Sequence, residues 1–107
     1  MSRRLAHTDV FSAIADPTRR RLLDLLGHGD QHVNTLAGEF DITLSAVSQH
    51  LRLLREAGLV TVQRSGRERW YRLNAKPLQE VADWVDHYER FWRDKLDALG
   101  EHLEENP

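Results

Sequence analysis

Apolar positions recur along this chain at helical spacing, broken once by a short stretch that alternates. Val10, Phe11, Ile14 and Ala15 form an amphipathic stripe that predicts a first helix near residues 8–15. Asp16-Pro17 restarts the chain, since Asp16 can cap a helix and proline suits its first position. Leu22, Leu23, Leu25 and Leu26 make that second helix mostly core-facing, and Gly27 with Gly29 ends it. Val33, Leu36, Ala37 and Phe40 face inward on a third helix over 33–40. A tight turn, Asp41-Ile42-Thr43, leads into the fourth helix, with Thr43 as its N-cap.

On the fourth helix Val47, Leu51 and Leu54 recur at i, i+4 and i+7 and share one apolar face. Ser45, Ser48, Gln49 and Arg52, short or hydrogen-bonding side chains, occupy the other side. That composition suits a helix lying in the major groove, where donors and acceptors must reach base edges. Two short helices joined by a turn of about three or four residues, the second facing the groove, make a helix-turn-helix. Gly58 ends the helix, and two short strands follow over 59–64 and 68–74. Gly66 stands at their turn with Arg64, Arg67 and Arg69 around it. The unit is therefore read as a recognition helix over about 43–57 and a wing over about 59–74.

A long helix is expected over about 77–104. Its apolar positions are Leu78, Val81, Val85, Tyr88, Trp92, Leu96, Leu99 and Leu103, close to heptad spacing, and Trp84 and Phe91 widen the stripe. One small winged domain cannot bury so long an aromatic stripe, so homodimerisation through this helix and the first one is the natural outlet. The expected interface comprises Phe11, Leu78, Val81, Val85, Tyr88, Trp92, Leu96 and Leu99. The fold class is then mainly α with a small antiparallel β-hairpin, in the order α-α-α-α-β-β-α. Residues 1–107 are expected to form a single winged helix-turn-helix domain, dimeric through its terminal helices.

Composition narrows the chemistry. The chain contains no cysteine, which excludes disulfides, iron–sulfur clusters and thiolate metal sites. No apolar run is long enough for a membrane span or a signal segment, so a cytoplasmic protein is expected. The net charge of −2 seems wrong for nucleic acid, but its distribution matters more. Residues 43–73 carry six Arg against Glu56 and Glu68, a balance of +4, whereas residues 74–107 carry four basic against nine acidic residues, a balance of −5. One face suited to phosphates and one pointing away is the polarity this implies. Ser45, Ser48 and His50 lie within one helix, with no oxyanion-hole glycine motif and no orienting carboxylate, so nucleophilic catalysis is not indicated. Phosphate-binding glycine loops are absent too. The chain is not read as an enzyme, and no cofactor is implied.

Three segments, AIADPTRRRLLDLL (13–26), LAGEFDITLSAVSQHLRLLREAGLV (36–60) and RSGRERWYRL (64–73), in this order and spacing, resemble the ArsR/SmtB-type winged-helix repressors over essentially the full length. The resemblance implies a homodimer that binds double-stranded DNA at a palindromic operator, blocks transcription and releases DNA on a signal, often regulating its own promoter. Carried over position by position, it implies DNA contacts from Thr43, Ser45, Ser48, Gln49, His50 and Arg52, with Arg64, Arg67 and Arg69 on the wing. Gln49 is the foremost base reader, because its amide can pair bidentately with adenine. His50 lies on the border of the apolar face, where a structural hydrogen bond and a phosphate contact are both open. Arg19, Arg20 and Arg21 sit unfavourably near a helix N-terminus, which allows phosphate contacts, but pairing of Arg20 with Asp24 is the preferred expectation.

Metal-sensing relatives often carry a cysteine pair early in the third helix. His32, Val33 and Asn34 stand there in this chain, so that thiolate site is absent. The last helix has Asp83, Asp86, His87 and His102 but lacks the Asp-x-His pair of the zinc-type sites. A cross-dimer site using His7, His87 or His102, and an apolar ligand among Trp84, Tyr88, Phe91 and Trp92, remain alternatives. The sequence names no effector. A winged-helix module that binds protein instead of DNA is the competing function.

Overall fold

The computed structural model describes residues 9–105, with side chains to Gly100. His7, His102 and Leu103, named above as metal or stripe residues, therefore lie outside the described side chains. The first two helices begin where a side chain can satisfy one of their unpaired N–H groups. Asp9 caps α1 (Val10–Ile14) by accepting from the Ser12 N–H at 2.8 Å. Asp16 caps α2 (Pro17–Leu26) by accepting from the Arg19 N–H at 3.0 Å. β1 (Gln31–His32) and α3 (Val33–Ala37) follow, and then α4 (Leu44–Glu56), which Thr43 caps through its Oγ1 to the Ala46 N–H at 3.0 Å. β2 (Val60–Ser65) and β3 (Glu68–Leu73) make the wing, and α5 (Leu78–Glu105) completes the chain.

The exit from α4 is a Schellman motif. The Leu59 N–H donates to the Leu54 carbonyl at 2.9 Å and the Gly58 N–H to the Arg55 carbonyl at 2.9 Å. This bend needs a positive φ at Gly58, which is +79°. It also turns Leu59 back onto Leu54, and both are fully buried. The chain thus leaves α4 in one defined direction and enters β2.

Two features differ from the expected hairpin and helix lengths. The sheet has three strands in the order β1-β3-β2, because Gln31 pairs with Tyr71 and His32 with Trp70. A strand of two residues has no periodicity to read; its partner, 40 residues away in sequence, creates it. α3 also stops at Ala37 instead of reaching residue 40, with Gly38 as its C-cap, although Phe40 still packs against the core.

The core lies between α2, α3, α4 and the inner face of the sheet. Leu22, Leu36, Val47, Leu51, Leu54 and Leu59 are its largest fully buried side chains. α5 joins it only at its start, where Leu78 and Val81 are half-buried against it. These two residues, expected in a dimer interface, also pack against the protomer's own core, because the first turns of α5 run beside it. Beyond them Trp84, Val85, Tyr88, Phe91, Trp92, Leu96 and Leu99 are exposed. Among the described residues no helix is long and apolar enough to cross a membrane.

Candidate nucleic-acid interface

The α4 periodicity sorts its residues as expected. Val47, Leu51 and Leu54 are buried, while Ser45, Ser48, Gln49 and Arg52 are exposed on the other side. Ser45, Ser48 and Gln49 make no side-chain hydrogen bond to another described residue. Their donors and acceptors are therefore available to a ligand. Arg52 reaches Glu56 at only 4.0 Å, an exposed i,i+4 contact of little energetic weight. Thr43 serves first as the N-cap, and so fixes where α4 begins.

Strand register sets the wing. Val60, Val62 and Tyr71, which pack on or against the core, lie on one face of the β2–β3 ladder, and two residues farther along Arg64 stands opposite Arg69 on that same face. Like charges directly opposite each other are destabilising in a hairpin. Such a pair on the outer end of a core face is better explained by an anionic partner than by the stability of the hairpin. Arg67 lies in the two-residue turn, whose first position is Gly66 with φ +65°, as a II′ hairpin turn requires. A groove of about 590 Å³ separates α4 from the edge strand β2, lined by Arg52, Arg55, Glu56, Val60, Thr61 and Val62. Arg55, on α4, thereby faces the groove toward β2.

Three basic residues hold other positions. Arg72 is committed to Asp30, donating from Nε at 3.0 Å and from Nη2 at 2.8 Å to Oδ2. The basic wing therefore consists of Arg64, Arg67 and Arg69. Arg20 does not take the role expected of it. Arg20 donates from Nη1 to the Ile14 carbonyl at 2.7 Å instead of pairing with Asp24, and Arg19 donates from Nε to the Ala13 carbonyl at 2.7 Å. The end of α1 exposes carbonyls without helical partners, and these attract the cations more strongly than a flexible surface pair.

Histidine 50 is half-buried at the edge of this face, with Nδ1 3.2 Å from Arg19 Nη1 and 3.9 Å from Asp16 Oδ2. Partial burial pushes the Asp16 carboxyl up, but the backbone N–H groups of Arg19 and Thr18 and the Arg19 charge hold it below its ordinary value. His32 bridges the wing on its other side, 3.3 Å from Glu68 and edge-on to Trp70 with ring centroids 4.0 Å apart. Among the described residues no group of three or more histidine or acidic side chains is arranged to hold a metal ion.

The Arg72 guanidinium, by hydrogen bond and charge, holds Asp30 below its ordinary carboxylate value of 3.8. A depressed carboxylate contributes stability that is present above the unfolded value and is lost as pH falls through the folded one. The β1–β3 attachment should therefore loosen only in acid, and Asp30→Asn should loosen it at neutral pH. Faster amide exchange at Gln31 and His32 in Asp30→Asn is the expected reading; unchanged exchange would show that the backbone pairing alone suffices.

A helix-turn-helix domain model matches residues 14–63. The Bacillus subtilis protein named transcriptional repressor SdpR is 40% identical over 77 residues, covering 72% of this chain and 86% of that protein. A solved structure described as a possible transcriptional regulator for arsenical resistance superposes with TM-score 0.67 at 49% identity, covering 84% of this chain and 91% of its own. An ArsR family transcriptional regulator superposes with TM-score 0.69 at 32% identity, covering 78% of this chain and 91% of its own.

Proposed function

The chain belongs to the ArsR family of DNA-binding transcriptional regulators, and from that premise we propose that it is a homodimeric repressor of a palindromic operator, possessing no catalytic activity. It works in the cytoplasm, where the DNA it reads is held, and its own promoter is the first candidate target. Thr43, Ser45, Ser48, Gln49, His50 and Arg52 meet the major groove, and Arg64, Arg67 and Arg69 meet the backbone or the adjacent minor groove. The observation that carries this reading is that one protomer combines a helix face of unpartnered Ser45, Ser48 and Gln49 with a wing on which Arg64 and Arg69 stand opposite each other. The dimer forms through Phe11 and the exposed α5 stripe of Val85, Tyr88, Trp92, Leu96 and Leu99. Phe11 already meets Trp84 edge-on at 5.9 Å, so α1 and α5 present one continuous apolar surface.

Gln49→Ala should cost about 1–3 kcal/mol of operator binding and relax one base position, whereas a wing Arg→Ala should weaken binding evenly and reduce the salt slope by about 1. Affinities across single-base operator variants and salt concentrations check this. A base-specific loss from the wing variant and none from Gln49→Ala would reverse the assignment.

The primary test is a footprint of the purified protein on its own upstream DNA near physiological salt. A protected palindrome with half-sites about one helical turn apart supports the repressor. Absence of binding even at low salt would overturn it and favour a protein-interaction module.

A further inference from the structure

We infer that Arg19 is a positioning residue for DNA binding: it holds His50 in the Nε2–H tautomer and so offers a neutral N–H donor to a phosphate beside the recognition helix. This rests on the reading of α4 as the groove-facing helix. An arginine guanidinium only donates hydrogen bonds. With Arg19 Nη1 at 3.2 Å, His50 Nδ1 must supply a lone pair, and the single proton of the neutral ring then sits on Nε2.

Asp16 is the competitor, since a carboxylate facing Nδ1 would draw the proton there. It stands 3.9 Å away, outside hydrogen-bonding range, and its Oδ2 already accepts the Arg19 backbone N–H at 3.0 Å. Arg19 cannot swing to release the ring, because Nε is held by the Ala13 carbonyl at 2.7 Å and Nη2 by the Ser12 carbonyl at 3.1 Å. The guanidinium thus ties the end of α1 to α4.

Nε2 has no partner among the described residues. No buried side-chain nitrogen or oxygen among them is left without one, so Nε2 reaches solvent even though the side chain is only 22% exposed. The result is a preset donor at the margin of the Ser45–Gln49 face. Phe11, which meets Trp84, and Ala13, whose carbonyl holds Arg19, lie on the same short helix α1, so Arg19 links the helix that carries Phe11 to α4.

The first measurement is the long-range proton–nitrogen correlation spectrum of the His50 ring in the unmodified full-length protein, under conditions that keep the ring neutral. The Nε2–H pattern is expected; the Nδ1–H pattern would overturn the inference, and no variant is needed for this arm. The second uses the operator fragment defined by footprinting. Arg19→Gln and His50→Ala should each weaken binding roughly fivefold, the weight of one hydrogen bond. Their combination should cost no more than either alone.

The salt slope should be unchanged in Arg19→Gln. A slope reduced by about 0.9, with a loss that persists in the His50→Ala background, would mean that Arg19 itself touches phosphate, and would overturn the positioning role. Failure of the unmodified protein to bind any duplex would instead overturn the repressor reading, and the donor role with it. That outcome is distinguished because the spectrum is read without DNA.

Discussion

Replacing both Trp92 and Leu96 with glutamate should convert the protein to a monomer and lower its apparent operator affinity by about 10²–10⁴-fold. These side chains are 60% and 65% exposed on α5, one helical turn apart. Neither belongs to the winged core, so the substitutions leave a protomer's own packing intact. Two adjacent glutamates on the same stripe of a partner helix would have to lose their water in an apolar seam, which is strongly unfavourable. Each winged domain would then bind its half-site alone, without the effective concentration supplied by its twin. Sedimentation equilibrium and operator titration report the two effects separately. An unchanged dimer mass would move the interface elsewhere; a monomer with undiminished affinity would show that one protomer suffices for the operator.

Leu51→Ala should destabilise the fold by about 2–5 kcal/mol, a large share of what a domain of this size possesses. Leu51 is fully buried at the middle of α4, with Val47 and Leu54 on the same face. Truncation leaves a cavity that a close-packed interior fills poorly. The loss falls on the helix that carries Ser45, Ser48 and Gln49, so DNA binding should weaken in step with the folded fraction. Urea unfolding at fixed protein concentration, monitored by helical circular dichroism, measures the change. A loss well under 1 kcal/mol would mean that α4 is held chiefly by its caps and its wing, and not by this seam.

The family resemblance and the helix-turn-helix–wing order were legible because their signals are local. Thr43 caps three residues ahead, Gly58 permits a bend at its own position, and Val47, Leu51 and Leu54 repeat within three turns. Gly66 marks the hairpin through its own backbone conformation. The exposed polar set of α4 follows from the buried one by helical geometry alone. Contacts between distant residues left no such trace. Arg19 meets His50 across 31 positions and Arg72 meets Asp30 across 42. Neither pairing was expected: the local pattern suggested Arg20 with Asp24 for the α2 arginines and assigned no partner to Arg72.

The sequence by itself determined the succession of helices, the polar face of α4, the basic wing and the presence of an apolar stripe too long for one protomer. Periods of 3.6 and 2 and single-residue backbone preferences encode these within a few residues. Only the tertiary structure decided which apolar positions of α5 pack on the protomer's own core, that β1 completes the sheet, and which arginines are tied to partners within the protomer. Periodicity reports that a face is apolar but not what covers it. A cation's partner is likewise chosen by proximity in space, where the free carbonyls at the end of α1 and the carboxylate of Asp30 compete with solvent and with any phosphate.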